Sequence, residues 1–553
     1  MPNTPSEKRF TKTEKSWIMY DWANSVYATN IMAAIFPIYF ASVATDAGNK
    51  WYGIAASLAS LICAVLSPVL GAIGDFKGYK KKLLTAFLVI GVVFTALMAF
   101  VGSWQWMLVG YVLSHIGFSG SCVFYDSFLT DVTTAERMDR VSAWGYAMGY
   151  LGGSTIPFVI SIVVLLLTDF SVTAIKFSIL ITSVWWAAFS IPMLKNVRQV
   201  HYVETPPQEL AKHAGQNLLN TMKRCVTEKG LFIFLIAYFL YIDGVNTIIA
   251  LATNYGATLG LGSTGMILAL LVTQLVAVPF SILFSKLAGK FGAIRMIITA
   301  ILVYFCITGV GFFMGRTMEP YQLEYAKNVR ASAAEQAVCV ETDPDYALWN
   351  TVVSDLVENG KDVLAEEDRP AAFSGVFTEA RTKLTNADSP YAFFNDVNRQ
   401  SALAAVDEIE RDLAVFTSDS SKKTAYDSAR SLASILFWVL AALVGTVQGG
   451  IQALSRSYFG KLVPQERSAE FFGFYDIFGK FATVIGPALY ALCYMLTDRP
   501  SIGILSLLLL FGGGGILLVA GRKELAKTEQ SVRLANQSKS PSETDALPQQ
   551  EQA

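Results

Sequence analysis

The chain has 553 residues, 53% of them hydrophobic and only 16% charged, with a formal net charge of −1. A water-soluble chain averages nearer a quarter charged, so the deficit points to a membrane as solvent. The near-zero net charge excludes a global attraction to nucleic acid.

In chain order, residues 1–16 are polar and basic and read as a cytosolic segment. They hold no short apolar core with a small-residue cleavage site, so no cleaved signal peptide is expected. Apolar runs follow at 17–42, 51–74, 83–103, 105–130, 143–168 and 172–194, giving an N-terminal six-helix bundle over 17–194. A polar connector, 195–230, is read as cytosolic. Three more runs, 231–257, 264–289 and 292–314, assign 231–315 to the seventh to ninth helices. The last three, 431–454, 470–496 and 500–521, assign 431–521 to the tenth to twelfth. Each run is close to the roughly 20 apolar residues that a crossing helix needs. They are too long and too uniformly apolar for barrel strands. The fold predicted is an all-α polytopic membrane protein of twelve spans.

Basic residues set the orientation. Lys8, Arg9, Lys12 and Lys15, then Lys77 and Lys80–Lys82, Arg137 and Arg140, Lys286, Lys290 and Arg295, and Arg456, Lys461 and Arg467 all fall on the side of the N-terminus. Both termini are therefore expected in the cytosol. Residues 316–430, between the ninth and tenth spans, then lie outside. This insertion carries 21 acidic and 12 basic residues. Trp349, Val352, Val353, Leu356 and Val357 recur at helical spacing, as do Phe373, Phe377, Ala380 and Leu384, and Leu403, Val406, Ile409, Leu413 and Phe416. The insertion reads as a small acidic helical domain: a solvated decoration, a lid over the outer mouth, or a docking site for an extracytoplasmic partner. Residues 522–553, rich in Gln, Ser, Glu and Pro from Lys527 onward, read as a disordered cytosolic tail. The six cysteines are scattered without a CxxC pair, so neither a disulfide framework nor a zinc site is expected.

The two halves repeat. Asp21-Trp-Ala-Asn24-Ser25 in the first span matches Asp243-Gly-Val-Asn246-Thr247 in the seventh. Gly71-Ala-Ile-Gly74-Asp75-Phe-Lys77-Gly78 after the second span matches Ser285–Gly292 after the eighth, and Glu136-Arg137 matches Glu466-Arg467. Parallel repeats of six helices place a substrate site at midplane between the halves.

These residues carry a family resemblance. Gly71 to Lys81 resembles the signature loop of the major facilitator superfamily. Tyr20-Asp21-Trp22-Ala23-Asn24-Ser25, Phe36-Pro37, Phe124-Tyr125-Asp126, Arg140-Val141-Ser142, Gly145–Gly153, Trp185-Trp186 and Ala237–Thr247 resemble one branch of it. That branch is called unknown major facilitator and is grouped with the autophagy-related vacuole effluxers. The resemblance covers roughly 17–315 and 430–521 and leaves out the insertion. It implies two pseudo-symmetric six-helix bundles, export of amino acids and a bacterial inner membrane; no cofactor beyond a proton gradient, and a monomer, are expected besides.

Ionisable groups at membrane depth are costly and mark function. Asp243, about twelve residues into the seventh span, lies near midplane and is the first candidate for proton coupling; Asp21 is its repeat mate nearer the cytosol. Asn24 and Asn246 stand one turn away and can hydrogen-bond a polar solute. Either pair can instead tie helices together. Asp476 and Lys480, spaced i, i+4, either neutralise each other or release Lys480 to Asp243. His115, Gln274, Gln448 and Gln452 are polar groups inside spans, open to substrate contact or to plain interhelical bonding. The resemblance gives Gly71, Asp75, Lys77, Gly78 and Lys81 a gating role, with Asp75 facing the positive end of the eleventh helix. Lys77 or Lys81 is expected to pair with Asp126 or Asp131, although Lys80–Lys82 equally serve to set topology.

The leading expectation is a proton-coupled carrier for a small polar solute, amino acids foremost, embedded in the lipid bilayer. The alternatives are a carrier for a sugar, drug or lipid, or a non-transporting receptor built on the outer domain. No phosphate loop, HExxH or GxSxG setting is present, so an enzyme is not expected.

Overall fold

The computed structural model describes residues 9–539, except 45, 169–170, 205–220, 262, 337, 361–368, 387–388, 390, 392–393 and 419. Regular structure among the described residues is helical, apart from one isolated bridge between Phe76 and Val203. Eleven helical segments there are long and apolar enough to cross a membrane. The segment expected as the first of twelve spans is helical from Lys12 to Val43 but is not among the eleven.

That segment starts as α1 (Lys12–Val26), capped by Thr11 and Glu14 in a reciprocal box with bonds of 3.1 and 2.9 Å. It widens into a π-helical stretch, Tyr27–Ala34, and continues as α2 (Ile35–Val43). The N-terminal bundle adds α3 (Asp46–Gly74), α4 (Tyr79–Met98), α5 (Trp104–Ser127), the short α6 (Leu129–Val132), α7 (Met138–Met148), α8 (Ile156–Leu167) and α9 (Val172–Asn196). A second π-helical stretch, Gly149–Thr155, joins α7 to α8 and packs against α1 and the first stretch. Glycines permit that approach. A Cβ on Gly152 would lie 1.9 Å from the Trp22 ring, and one on Gly153 2.5 Å from Ser25.

The C-terminal bundle comprises α10 (Lys229–Thr258), α11 (Ser263–Phe291), α12 (Ala293–Glu335), α16 (Ser420–Leu462), α17 (Ser468–Phe481), α18 (Ile485–Thr497), α19 (Pro500–Ser506) and α20 (Leu508–Lys539). The eleventh span is thus broken between α17 and α18, just before Gly486 and Pro487. Proline has no N–H to continue the ladder, which favours a break at this position.

Two boundaries differ from the sequence reading. The last span does not give way to disorder at 522, because α20 runs on to Lys539; only 540–553 lie outside the described residues. Nor does the insertion begin as a separate unit at 316. The ninth and tenth helices, α12 and α16, each run unbroken for 43 residues, into it and out of it. Hydropathy falls at the membrane edge while helical spacing continues through it. Between them lie α13 (Tyr346–Gly360), α14 (Arg369–Thr385) and α15 (Asp396–Ser418). Their core is Trp349, Val352, Leu356, Phe373, Phe377, Leu384, Val406, Ile409 and Leu413, as the spacing predicts; the Phe416 side chain lies outside the described residues. α13 and α15 pack on α12, and neither packs broadly on the N-terminal bundle.

The bundles meet along α3 with α17, and along α7 and its π-helical continuation with α11 and α16. Arg533 lies 3.1 Å from Glu136, and Arg137 2.7 Å from Glu14, so the start of α1 and the end of α20 share one face, here called the terminal face.

Candidate functional site

Hydrogen bonds and ion pairs join the two bundles near the terminal face. Asp75, just past α3, accepts the backbone N–H groups of Ala469 (2.8 Å) and Glu470 (2.9 Å) at the start of α17. These are orphan donors at the positive end of a helix, where a carboxylate is favoured. Gly71 permits the contact, since a Cβ there would lie 2.3 Å from the Ala469 carbonyl oxygen. Burial pushes the Asp75 carboxyl up to about 7, against the opposing pull of Lys80 and the two N–H groups. Gly78 opens α4 at φ +77°, a conformation suited to glycine, and its N–H donates to Gln199 of the connector. Val203 N–H bonds the Asp75 carbonyl at 2.8 Å, so the connector straps the loop.

The expected lysine partners are corrected. Lys80, fully buried, pairs with Asp131 at 2.8 Å and also donates to Ser468 across the interface. Lys81 instead donates to the Val197 carbonyl, and Lys77 lies over the Tyr202 ring. The reason is helix phase: Lys80 points inward from α4 while its neighbours face the connector.

Asp126 has a partner that the sequence reading missed. Arg456 of α16, 2% exposed, reaches Asp126 at 2.9 Å, Asp21 at 3.2 Å, and both the hydroxyl and carbonyl of Ser142. The Trp17, Tyr125 and Tyr146 rings enclose its guanidinium, a geometry that suits this planar cation. Tyr125 also donates to Asp21 at 2.7 Å. Gly145 leaves the room: a Cβ there would be 2.4 Å from an Asp21 oxygen. Lys461 and Ser457 bind Asp139, each at 2.7 Å, and Tyr150 and Gln452 meet at 3.2 Å.

Deeper in the membrane, Asp476 and Lys480 of α17 pair with each other, and Ser67 of α3 donates to Asp476 at 2.8 Å. Both side chains stay partly exposed. Lys480 lies within electrostatic reach of Cys63, His115 and Cys122 in the opposite bundle. His115 is buried and its Nδ1 has no hydrogen-bond partner. Asn24 contacts Cys122 at 3.5 Å. The His115 ring packs edge-on against Tyr111, with ring centroids 5.8 Å apart.

Asp243 is not reached by Lys480. It is fully buried and accepts the Gly486 N–H at 3.0 Å on each oxygen, with Thr247 at 3.4 Å. Asn246 donates to the Ala482 carbonyl at 3.4 Å. The two side chains therefore satisfy backbone groups on either side of the break between α17 and α18. Gln274 and Gln448 line a separate cavity of about 100 Å³ inside the C-terminal bundle, among Ile248, Tyr255, Thr308 and Phe437, and are not brought to the central pair.

Comparison with known proteins agrees with this geometry. The family model described as vacuole effluxer Atg22-like matches residues 51–319 and 433–531, skipping the insertion. The uncharacterized MFS-type transporter YxiO of Bacillus subtilis (strain 168) is 37% identical over 525 residues, covering 92% of this chain and 95% of its own. Autophagy-related protein 22 of Coccidioides immitis (strain RS) is 36% identical over 107 residues, 17% of each chain. Two solved structures share the fold. FucP, a major facilitator transporter in the outward conformation, gives a TM-score of 0.52 at 9% identity, over 92% of this chain and 98% of its own. An outward-facing bacterial homologue of the iron transporter ferroportin gives 0.51 at 10%, with the same shares. The chain belongs to the Atg22-like vacuole effluxer family and is a multi-pass membrane transporter of the major facilitator type.

Proposed function

We propose that the protein exports small zwitterionic solutes, amino acids foremost, by proton-coupled alternating access. The observation that carries this reading is the Asp476–Lys480 pair, internally matched, partly exposed and facing the opposite bundle. An amino acid offers an ammonium and a carboxylate a few ångströms apart. Its carboxylate can take over Lys480 and its ammonium Asp476, replacing the internal pair with two charge-assisted bonds. Exchanging one matched pair for another avoids leaving a buried charge unpaired, which is the costly outcome. The names of the fungal relatives and of the family model, vacuole effluxer, fit such a cargo.

The terminal face is read as cytosolic from its lysines and arginines. On that reading the bundles are sealed toward the cytosol by Asp75, Lys80, Arg456 and Lys461. A proton on Asp21 or Asp126 weakens its bond to Arg456 and so favours opening of that seal. A proton on Asp243 loosens the joint between α17 and α18 and reorients Lys480.

The test uses sealed proteoliposomes with an internal pH dye and pools of amino acids, sugars and lipophilic amines. Proton movement with the amino-acid pool alone supports the reading, and Lys480→Ala and Asp476→Asn should each lower that flux at least tenfold. Proton movement with another pool alone replaces the solute class. No movement of any solute would sink the carrier reading for these classes.

A further inference from the structure

We propose that the junction between the insertion and the C-terminal bundle is a second binding site, for a small organic cation bearing a primary ammonium group. A cavity of about 230 Å³ lies there, walled by α12 and α13 and by the far ends of α10 and α18 with Pro500 of α19. It is remote from the central ion pair. Three carboxylates, Glu319, Glu358 and Asp498, line it against one cation, Arg330. Arg330 is itself engaged with Asp498 at 3.4 Å.

Glu319 carries the argument. It is 1% exposed. Its Oε1 accepts the Ser501 backbone N–H at 2.7 Å, whereas Oε2 has no hydrogen-bond donor. The Arg316 guanidinium stands 3.6 Å from Oε2, beyond hydrogen-bond range. A buried carboxylate oxygen left without a donor is expensive, so such a vacancy is informative. Two further buried groups near it lack partners, the hydroxyls of Ser501 and Tyr490. The Tyr490 ring packs on Gly503, two residues beyond Ser501. Of these three groups Glu319 lines the cavity itself, together with the carboxylates of Glu358 and Asp498. A primary ammonium has three N–H donors and no acceptor, which suits a cavity lined by three carboxylates. The cavity is several times the roughly 30 Å³ that one water occupies in the liquid, so it has room for an organic substituent behind the nitrogen.

This site is separate from the transport reading, and its test needs no flux. The full chain in lipid nanodiscs is titrated with ethylammonium chloride at fixed ionic strength and followed by calorimetry. Saturable binding is expected. Glu319→Gln keeps an acceptor for Ser501 and should weaken binding at least tenfold, while Asp476→Asn should leave it unchanged. Tetramethylammonium, equally charged but without N–H, and sodium should not compete. No saturable heat, an unchanged affinity in Glu319→Gln, or equal competition by tetramethylammonium or sodium would each overturn the proposal. So would loss of binding in Asp476→Asn with retention in Glu319→Gln, which would move the ligand to the central pair. The competition arm needs no variant and decides even if Glu319→Gln fails to fold.

Discussion

Asp21 and Asp243 occupy matching places in the two halves of the repeat, yet they do different work. Asp21 bonds across the bundle interface, to Arg456, so its contact must break whenever the terminal face opens. Asp243 bonds within its own bundle, to the joint of a broken helix, and need not break at all. Asn24 and Asn246 do not repeat that contrast, since both bond within their own bundles, one to α5 and the other to the carbonyl at the break. A duplicated helix keeps its residues while its new neighbours reassign them. In the half with the discontinuous span the acid holds the break together, and in the other half it joins the two bundles.

The largest expected effect attacks the gate side of this contrast. Arg456→Ala strands the buried Asp21 and the partly exposed Asp126, and leaving a buried charge unpaired typically costs about 3–5 kcal/mol. Flux should be lost and the thermal midpoint should drop; Asp21→Asn in the same chain should recover part of the stability. If the single variant melts and transports like the parent, the Arg456 hub is not the seal. On the clamp side, Asp243→Asn keeps an acceptor for Gly486. Proton-coupled flux should vanish while solute exchange is partly retained, and unchanged coupling in a dye assay would leave Asp243 a clamp alone.

A third measurement concerns pH. In the contact with α17 the Asp75 carboxyl is raised from its ordinary value near 3.8 to about 7, so on the proposed gating the closed form binds the proton more tightly than an open form in which that contact is lost. Its extra stability is complete below the ordinary value and is lost as pH rises through about 7. Thiol labelling of Ser457→Cys from the terminal side should therefore increase between pH 5 and 8, and Asp75→Asn should flatten that profile. The smallest effect belongs to Arg533→Ala. Its pair with Glu136 is more than half exposed, and such pairs are worth about 0–1 kcal/mol. No change in flux is expected, and a large loss would give the terminal extension of α20 a part in gating.

Much of the architecture was legible because hydropathy and loop charge act locally along the chain. Asp75 and its glycines were legible too, since a tight loop at a helix end imposes residue types at fixed spacing. Arg456 was not, because a basic residue near a span's end reads as a topology signal. One clue was available: Arg456 stands six residues inside the end of α16 at Leu462, on the same side of the membrane as Asp21, an acid with no assigned cation. The lysine phase at 77–82 was ambiguous because consecutive lysines fit any helical face. Gln274 and Gln448 stayed open between two readings for a similar reason, as polarity inside a span does not say which cavity it lines. The continuation of α12 and α16 past the membrane escaped a reading based on hydropathy.

Those two helices have a mechanical consequence. At about 1.5 Å per residue, each 43-residue rod is roughly 65 Å long, about twice the hydrocarbon thickness. The inserted module is therefore cantilevered from the C-terminal bundle rather than tethered to it. Any tilt of that bundle sweeps the module sideways with the gain of a long lever arm. Conversely, a load applied to the module acts at that same leverage as a brake on the bundle in the membrane.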